Sequence, residues 1–265
     1  MRILFIGDVV GDRGMEMLGS RISSLKQQYK PQVTIVNGEN STSQGRGITK
    51  AIFKKMMGMG VDVVTLGNHA WNNEEIYQFI DDTPKLIRPA NYPDAPGNGY
   101  TIVNVNNTKL AVINIQGRVF LDTIDNPFVV LQQLVDKLQK EVDYIFVDCH
   151  AEATSEKMAM ATFLDGKISA LVGTHTHVQT NDAQILPHGT AFLSDAGMTG
   201  PIGGVLGMQA ESVLSRFLNA RPVRFNVVSS GAAVLGACVI DLSDKDGHAL
   251  KIKNMVIKSD DPIEN

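Results

Sequence analysis

Apolar runs alternate with amphipathic stretches through the first third of the chain. Arg2–Ile6 reads as a buried strand, and residues 15–28 place Met15, Leu18, Ile22 and Leu25 at helical spacing. Pro31 interrupts before a second strand at residues 33–36. Residues 49–57 predict a helix capped by Thr49 and ended near Gly60. A third strand follows at 61–66, then a short helix at 73–80 with Asn72 or Asn73 as its cap. This β-α-β-α-β opening predicts a parallel sheet with right-handed crossovers.

The middle changes character. Tyr100–Val105 and residues 109–115, joined around Asn106 and Asn107, predict a hairpin with a tight turn. A helix at 127–140, a strand at 144–147 and a helix at 155–163 come next. The end is strand-rich, with runs at 189–193, 223–228, 233–240 and 250–257, and one clear helix at 211–218. No internal repeat or low-complexity linker divides the chain, so residues 1–265 are read as a single α/β domain. Residues 258–265 are polar and are expected to fray.

Composition narrows the class. Of 265 residues, 43% are hydrophobic and 20% charged, enough to fill a globular core. A formal charge of −4 argues against stable nucleic-acid binding, although bound cations can reverse the local field for a small phosphorylated substrate. Cys149 and Cys238 lack the spacing of a zinc or redox pair, which fits a reducing compartment. No apolar run approaches the length of a membrane span, and Met1-Arg2-Ile3 enters a strand without a signal peptide's regions. A cytoplasmic protein without membrane contact is expected; a homo-oligomer is compatible with the sequence.

The chemistry sits at the ends of the apolar runs. Gly173-Thr174-His175-Thr176-His177 follows one run and is expected to send two imidazoles off one side of an extended backbone. Asp8, Glu39, Asn68 and His150 follow others. In α/β sheets, ligands gather outside the carboxyl ends of parallel strands, so neighbouring strands would bring all six side chains together. Carboxylate, amide oxygen and imidazole suit iron, manganese or zinc. Glu39, between the two ligand groups in the chain, is the natural bridge between two ions, a geometry used for displacement at phosphorus. Singly, each residue has a plainer reading. Asp8 could cap a helix, Asn68 could take a left-handed turn position, and His150 could be a hydrogen-bonded core histidine. Together those readings must all hold at strand ends. His69, beside Asn68, is expected to face the substrate and protonate the leaving oxygen, since imidazole titrates near neutrality; its alternative is to orient another ligand.

Several longer motifs carry a family resemblance. They are the opening Arg2-Ile3-Leu4-Phe5-Ile6-Gly7-Asp8-Val9-Val10-Gly11, then Asn37-Gly38-Glu39-Asn40, Gly67-Asn68-His69-Ala70-Trp71 and Arg88-Pro89-Ala90-Asn91. Downstream come the stretches from His150 to Lys157 and from Gly173 to Thr180. Across essentially its whole length the chain resembles the calcineurin-like metallophosphoesterases, and within them the YmdB-like bacterial branch. Val10 stands where the broader superfamily usually has histidine, and Glu39 where it usually has aspartate. Both departures are those of the YmdB-like branch.

That resemblance implies a four-layer αββα sandwich and a binuclear centre, iron foremost, with manganese or zinc as the other fillers. By motif match, Asp8, Glu39, Asn40 and His177 would hold one ion. Glu39, Asn68, His150 and His175 would hold the other. The implied activity is hydrolysis of 2′,3′-cyclic nucleotides such as 2′,3′-cAMP, by a metal-bridging hydroxide with His69 as proton donor. A regulatory role in bacterial development is implied beside it. Two other classes stay open: a phosphomonoesterase of the same superfamily, and a non-catalytic regulator that senses nucleotides through its metal site. Gly197 to Gly207, with five glycines, could be a lid or a structural turn.

Overall fold

The structure is a computed structural model and describes residues 1–262. Strand β1 (Arg2–Ile6) shows how its layers arise. Successive side chains of a strand point to opposite faces. Leu4 and Ile6 therefore share a core with Met15, Leu18 and Ile22 of helix α1 (Gly11–Tyr29) and with Phe53 and Met56 of α2 (Lys50–Gly58). Ile3 and Phe5 enter a different core, made with the second sheet, where the rings of Phe5 and Phe146 lie 5.2 Å apart. Burying a side chain of this size is worth about 1.5–3 kcal/mol, so the strand is apolar on both faces because both are covered.

The first sheet joins β1 to β2 (Val33–Asn37), β3 (Val63–Thr65) and β4 (Leu86–Ile87), all parallel. The second is built on the hairpin β5 (Tyr100–Val105) and β6 (Thr108–Gln116). To it are added β7 (Tyr144–His150), β8 (Ala170–Thr174) and, between β8 and the edge strand β9 (Gln184–Ile185), β10 (Ala191–Leu193). Strands β6, β7, β8 and β10 run parallel. Its outer face packs on α3 (Pro127–Leu138) and α4 (Thr154–Phe163) through Leu131, Val135, Met160 and Leu164. The result is the α/β, four-layer αββα sandwich that the resemblance implied.

Three late strands complete the first sheet: β11 (Thr199–Pro201), β12 (Ala233–Leu242) and β13 (Ala249–Lys258). β12 pairs with β13 along its length, and with β11 and β1 in turn along its other edge. Helix α5 (Ala210–Asn219) lies between β11 and β12 in the chain.

Most expected elements are present with ends moved by a few residues. Thr49 caps α2 by accepting from the Ile52 amide, and Asn73 caps Glu74–Gln78, which is a 3₁₀ turn and not an α-helix. Two expectations fail. Residues 223–228 form no strand, only a bridge from Val227 to Met208, because their backbone bonds go to the loop at Gly207 and Gln209 and to no sheet. The polar tail is tied down as far as residue 261: the Arg21 guanidinium donates to the carbonyls of Lys258, Ser259 and Asp261. Residues 263–265 of that expectation lie outside the described residues.

One close approach fixes where β1 delivers the residue that follows it. A Cβ on Gly7 would sit 1.9 Å from the carbonyl oxygen of Gly197, a backbone atom that cannot swing aside. Gly7→Ala is expected to cost about 1–3 kcal/mol in urea unfolding, as overpacking does. An unchanged midpoint would mean that this loop does not rest on the end of β1.

Candidate metal centre

Strands from both sheets end at one rim of the sandwich. Asp8 lies two residues past β1, Glu39 two past β2, and Asn68 three past β3. His150 is the last residue of β7, and His175 follows β8 directly. His150 Nε2 stands 2.9 Å from Asn68 Oδ1, 3.1 Å from Glu39 Oε1 and 3.1 Å from His175 Nδ1. One ring nitrogen cannot satisfy three such neighbours with a single proton. Ligand atoms of Glu39, His150 and His175 all lie within 4.8 Å of one another, the layout of a cation's coordination shell.

A second group adjoins the first through Glu39. Asn40 Nδ2 is 3.1 Å from Glu39 Oε1 and 3.2 Å from His177 Nε2. Asp8 Oδ2 accepts from the His175 amide at 3.2 Å, while Asp8 Oδ1 is 4.0 Å from His150 Nδ1. Asp8 Oδ1 and Asn40 Oδ1 are buried with no hydrogen-bond partner. An orphaned buried carboxylate oxygen is costly unless a cation answers it. The structure thus brings Asp8, Glu39, Asn40, Asn68, His150, His175 and His177 to one place, with a donor set that fits metal.

His175 and His177 do not project from an extended backbone, as the spacing suggested. Their φ angles are 99° and 66°, in the left-handed region. Asp195 holds this turn, its Oδ2 accepting from the Thr176 amide at 3.1 Å and from the Thr176 hydroxyl at 2.8 Å. The same oxygen accepts from the buried Lys157 Nζ at 2.8 Å. Glycine is required at position 67 as well, because a Cβ there would fall 2.4 Å from Glu39 Oε2 and 2.3 Å from the His150 ring.

Side chains behind the cluster orient its members. The Thr174 hydroxyl donates to Asp148 Oδ1 at 2.7 Å, which leaves its oxygen to accept from His150 Nδ1 at 2.9 Å. That arrangement turns His150 Nε2 toward Glu39, as histidines at metal sites are turned by their outer partner. Asp148 also accepts from Asn37 Nδ2 and the Thr65 hydroxyl, so it joins the two sheets beneath the site. Glu152 Oε2 is 2.9 Å from His175 Nε2 and sets that ring in the same way.

Charge follows geometry. Burial pushes Asp8 up, against the pull of His177 and His150. Burial would raise Glu39 too, but the charge and hydrogen bond of His150, with His69 adding, hold it down at about 2. His150 rises to about 9: burial opposes its charge, and Glu39, Asp8 and Asp148 together outweigh that. His175 falls to about 3 through burial and the neighbouring His150. Asp148 is pushed up to about 6, chiefly by burial. Without metal, these directions favour a charged Glu39–His150 pair, 3.1 Å apart, beside a neutral His175.

A cleft of about 750 Å³ opens over the cluster. His69 stands in its lining, its amide donating to Glu39 Oε2 at 3.0 Å and its Nδ1 3.3 Å from Asn72 Oδ1. If Nδ1–H is committed to Asn72, Nε2 remains for whatever the cleft holds. Leu206, in the glycine-rich stretch, also lines the cleft, and its carbonyl lies 3.3 Å from His177 Nδ1. Thr174, Glu152 and Lys157 lie inside the quoted motifs with no role assigned, and Asp148 and Asp195 lie outside them. A usable signal existed for one of them: Asp148 continues the apolar run 144–147 directly into His150, and a carboxylate inside a buried strand needs a partner.

Known proteins resemble this chain along nearly its whole length. The family model described as YmdB-like protein matches residues 4–255. A 2′,3′-cyclic-nucleotide 2′-phosphodiesterase of Bacillus subtilis (strain 168) is 50% identical, over 98% of both chains. A crystal structure of a novel phosphatase from Mycoplasma pneumoniae superposes with a TM-score of 0.92 at 31% identity, covering 99% of this chain and 95% of that one. A hypothetical protein from Thermus thermophilus gives a TM-score of 0.91 at 39% identity, covering 97% and 99%. The chain belongs to the family of YmdB-like proteins.

Proposed function

We propose that the protein is a metal-dependent phosphodiesterase that opens 2′,3′-cyclic nucleotides. The observation that carries this reading is the meeting of Glu39, Asn68, His150 and His175 within hydrogen-bond distance at the floor of a cleft, beside two orphaned buried oxygens. In this reading Asp8, Glu39, Asn40 and His177 hold one ion, and Glu39, Asn68, His150 and His175 hold a second. The donor set accepts iron, manganese or zinc. The activity of the Bacillus subtilis relative supports the choice of substrate and cleavage of the bond to the 2′ oxygen.

When bound, two such ions would supply a hydroxide nucleophile near neutral pH and neutralise charge on the phosphate oxygens. The chain's own groups do the rest. Glu39 joins the two ligand groups and sets their separation. Asp148, through Thr174, keeps the His150 ring from rotating, and Glu152 does the same for His175. His69, oriented by Asn72, presents Nε2 to the leaving ribose oxygen and gives it a proton. A phosphomonoesterase reading draws on the Mycoplasma pneumoniae relative, described as a phosphatase.

Initial rates on 2′,3′-cAMP, 3′,5′-cAMP and a simple aryl phosphomonoester separate these readings: the proposal expects the first to dominate, and dominance of the monoester contradicts it. In the same assay His69→Ala is expected to lower turnover by about 10²–10⁴-fold with metal content intact. Full turnover by a metallated variant would remove His69 from its role.

Metal uptake should also be visible as proton release. His150 is raised to about 9 in the ion-free protein, and a ligand nitrogen must be deprotonated. Uptake at pH 7 therefore displaces at least the His150 proton, and affinity rises with pH toward 9. In the ion-free protein the sign is opposite. The His150 contribution to stability is fully present below pH about 6.5 and lost as pH rises through about 9. Titration calorimetry in buffers of different ionisation enthalpy measures the released proton; binding without release contradicts the ligand role of His150.

A further inference from the structure

The cleft has two unlike ends. Its carboxylates, Glu39 and Glu152, both belong to the cluster or touch it. The wall beside them, built by α5 and the segment that follows, carries apolar side chains and arginine. Val213 and Phe217 lie at positions i and i+4 of α5 and share its cleft-lining stripe, and Ala220, the left-handed residue that ends the helix, continues the lining. Phe217 is 81% exposed, unusual for a large aromatic, and Phe225 joins it in the lining. Arg46 and Arg216 line the same cleft, and among the described residues neither has a carboxylate partner.

We infer that this wall is a nucleobase subsite, in which the ring of Phe217 or Phe225 stacks on the base of a substrate whose cyclic phosphate lies over the metal cluster, while Arg46 and Arg216 offer planar cations to the nucleotide's polar edges. The inference rests on the phosphodiesterase reading and adds what that reading lacks, a source of binding energy for the nucleoside. Every base presents a π face, and stacking on an aromatic side chain or a guanidinium plane tolerates base identity. The subsite therefore selects nucleotides over base-free phosphodiesters without choosing strongly among bases. Leu214 and Leu218, exposed on the same helix, do not line the cleft, so the stripe that meets the substrate is distinct from them.

Two five-membered cyclic phosphodiesters test this on the metal-loaded enzyme: 2′,3′-cAMP, and glycerol 1,2-cyclic phosphate, which lacks a base. The wild type should favour 2′,3′-cAMP in kcat/KM. Phe217→Ala should reduce that preference by about tenfold, chiefly by raising KM for 2′,3′-cAMP, and Phe217→Trp should restore it. Phe225→Ala should act in the same direction. Equal losses on both probes, or an unchanged preference in both alanine variants, overturns the subsite while leaving the phosphodiesterase reading intact. A change of oligomeric state in Phe217→Ala with an unchanged preference would likewise overturn it, marking the helix as a contact between protein chains. Failure of the wild type to hydrolyse 2′,3′-cAMP overturns the phosphodiesterase reading, and the subsite with it.

Discussion

Three carboxylates, Asp8, Glu39 and Asp148, lie fully buried within one rim of this protein, and every other feature of the site answers that fact. Charge taken out of water is destabilising unless it is paired or hydrogen-bonded. Asp148 is met by two hydroxyls and an amide. Glu39 is met by His150 and by the backbone of His69. Asp8 has only one of its oxygens satisfied. Asp195, nearby and equally buried, shows the alternative outcome, a carboxylate paired with its own lysine. The unpaired remainder is where metal chemistry can enter.

The fold makes this arrangement tolerable. Two sheets apolar on both faces exclude water from the strand interiors, and their parallel strands all release their chains at the same rim. Side chains just past those ends inherit the rigidity of the sheets. Asp148 extends that rigidity across the gap, receiving hydrogen bonds from Asn37 and Thr65 of one sheet and Thr174 of the other. The left-handed backbone at His175 and His177 is strained locally, and the Asp195–Lys157 pair is the deeper anchor that holds it. Reactivity is thus placed where packing ends, and positioned by groups that packing conceals.

Much of this was legible in the chain. Unbroken apolar runs located β1 and β2, helical spacing located α1, and the asparagine turn located the hairpin of β5 and β6. Two stacked sheets were not readable from periodicity, because a strand buried on both faces looks the same whether its cover is helix or sheet; the family resemblance supplied that. β4, β9 and β11 are two or three residues long and carry no pattern. Residues 223–228 have the pattern of a strand, but their backbone bonds go to the loop at Gly207 and Gln209. At the site, residues were visible where they break an apolar run, as Asp8 and His175 do. Asp148, Thr174 and Lys157 were not, because they act through partners distant in sequence.

The proposed function would place Glu39 between two cations. Anomalous diffraction from crystals grown with iron or manganese measures this directly. The expected result is two peaks flanking the Glu39 carboxylate, one beside Asp8 and His177 and the other beside His150 and His175. Peaks elsewhere, or a single peak that Glu39 does not touch, would contradict it.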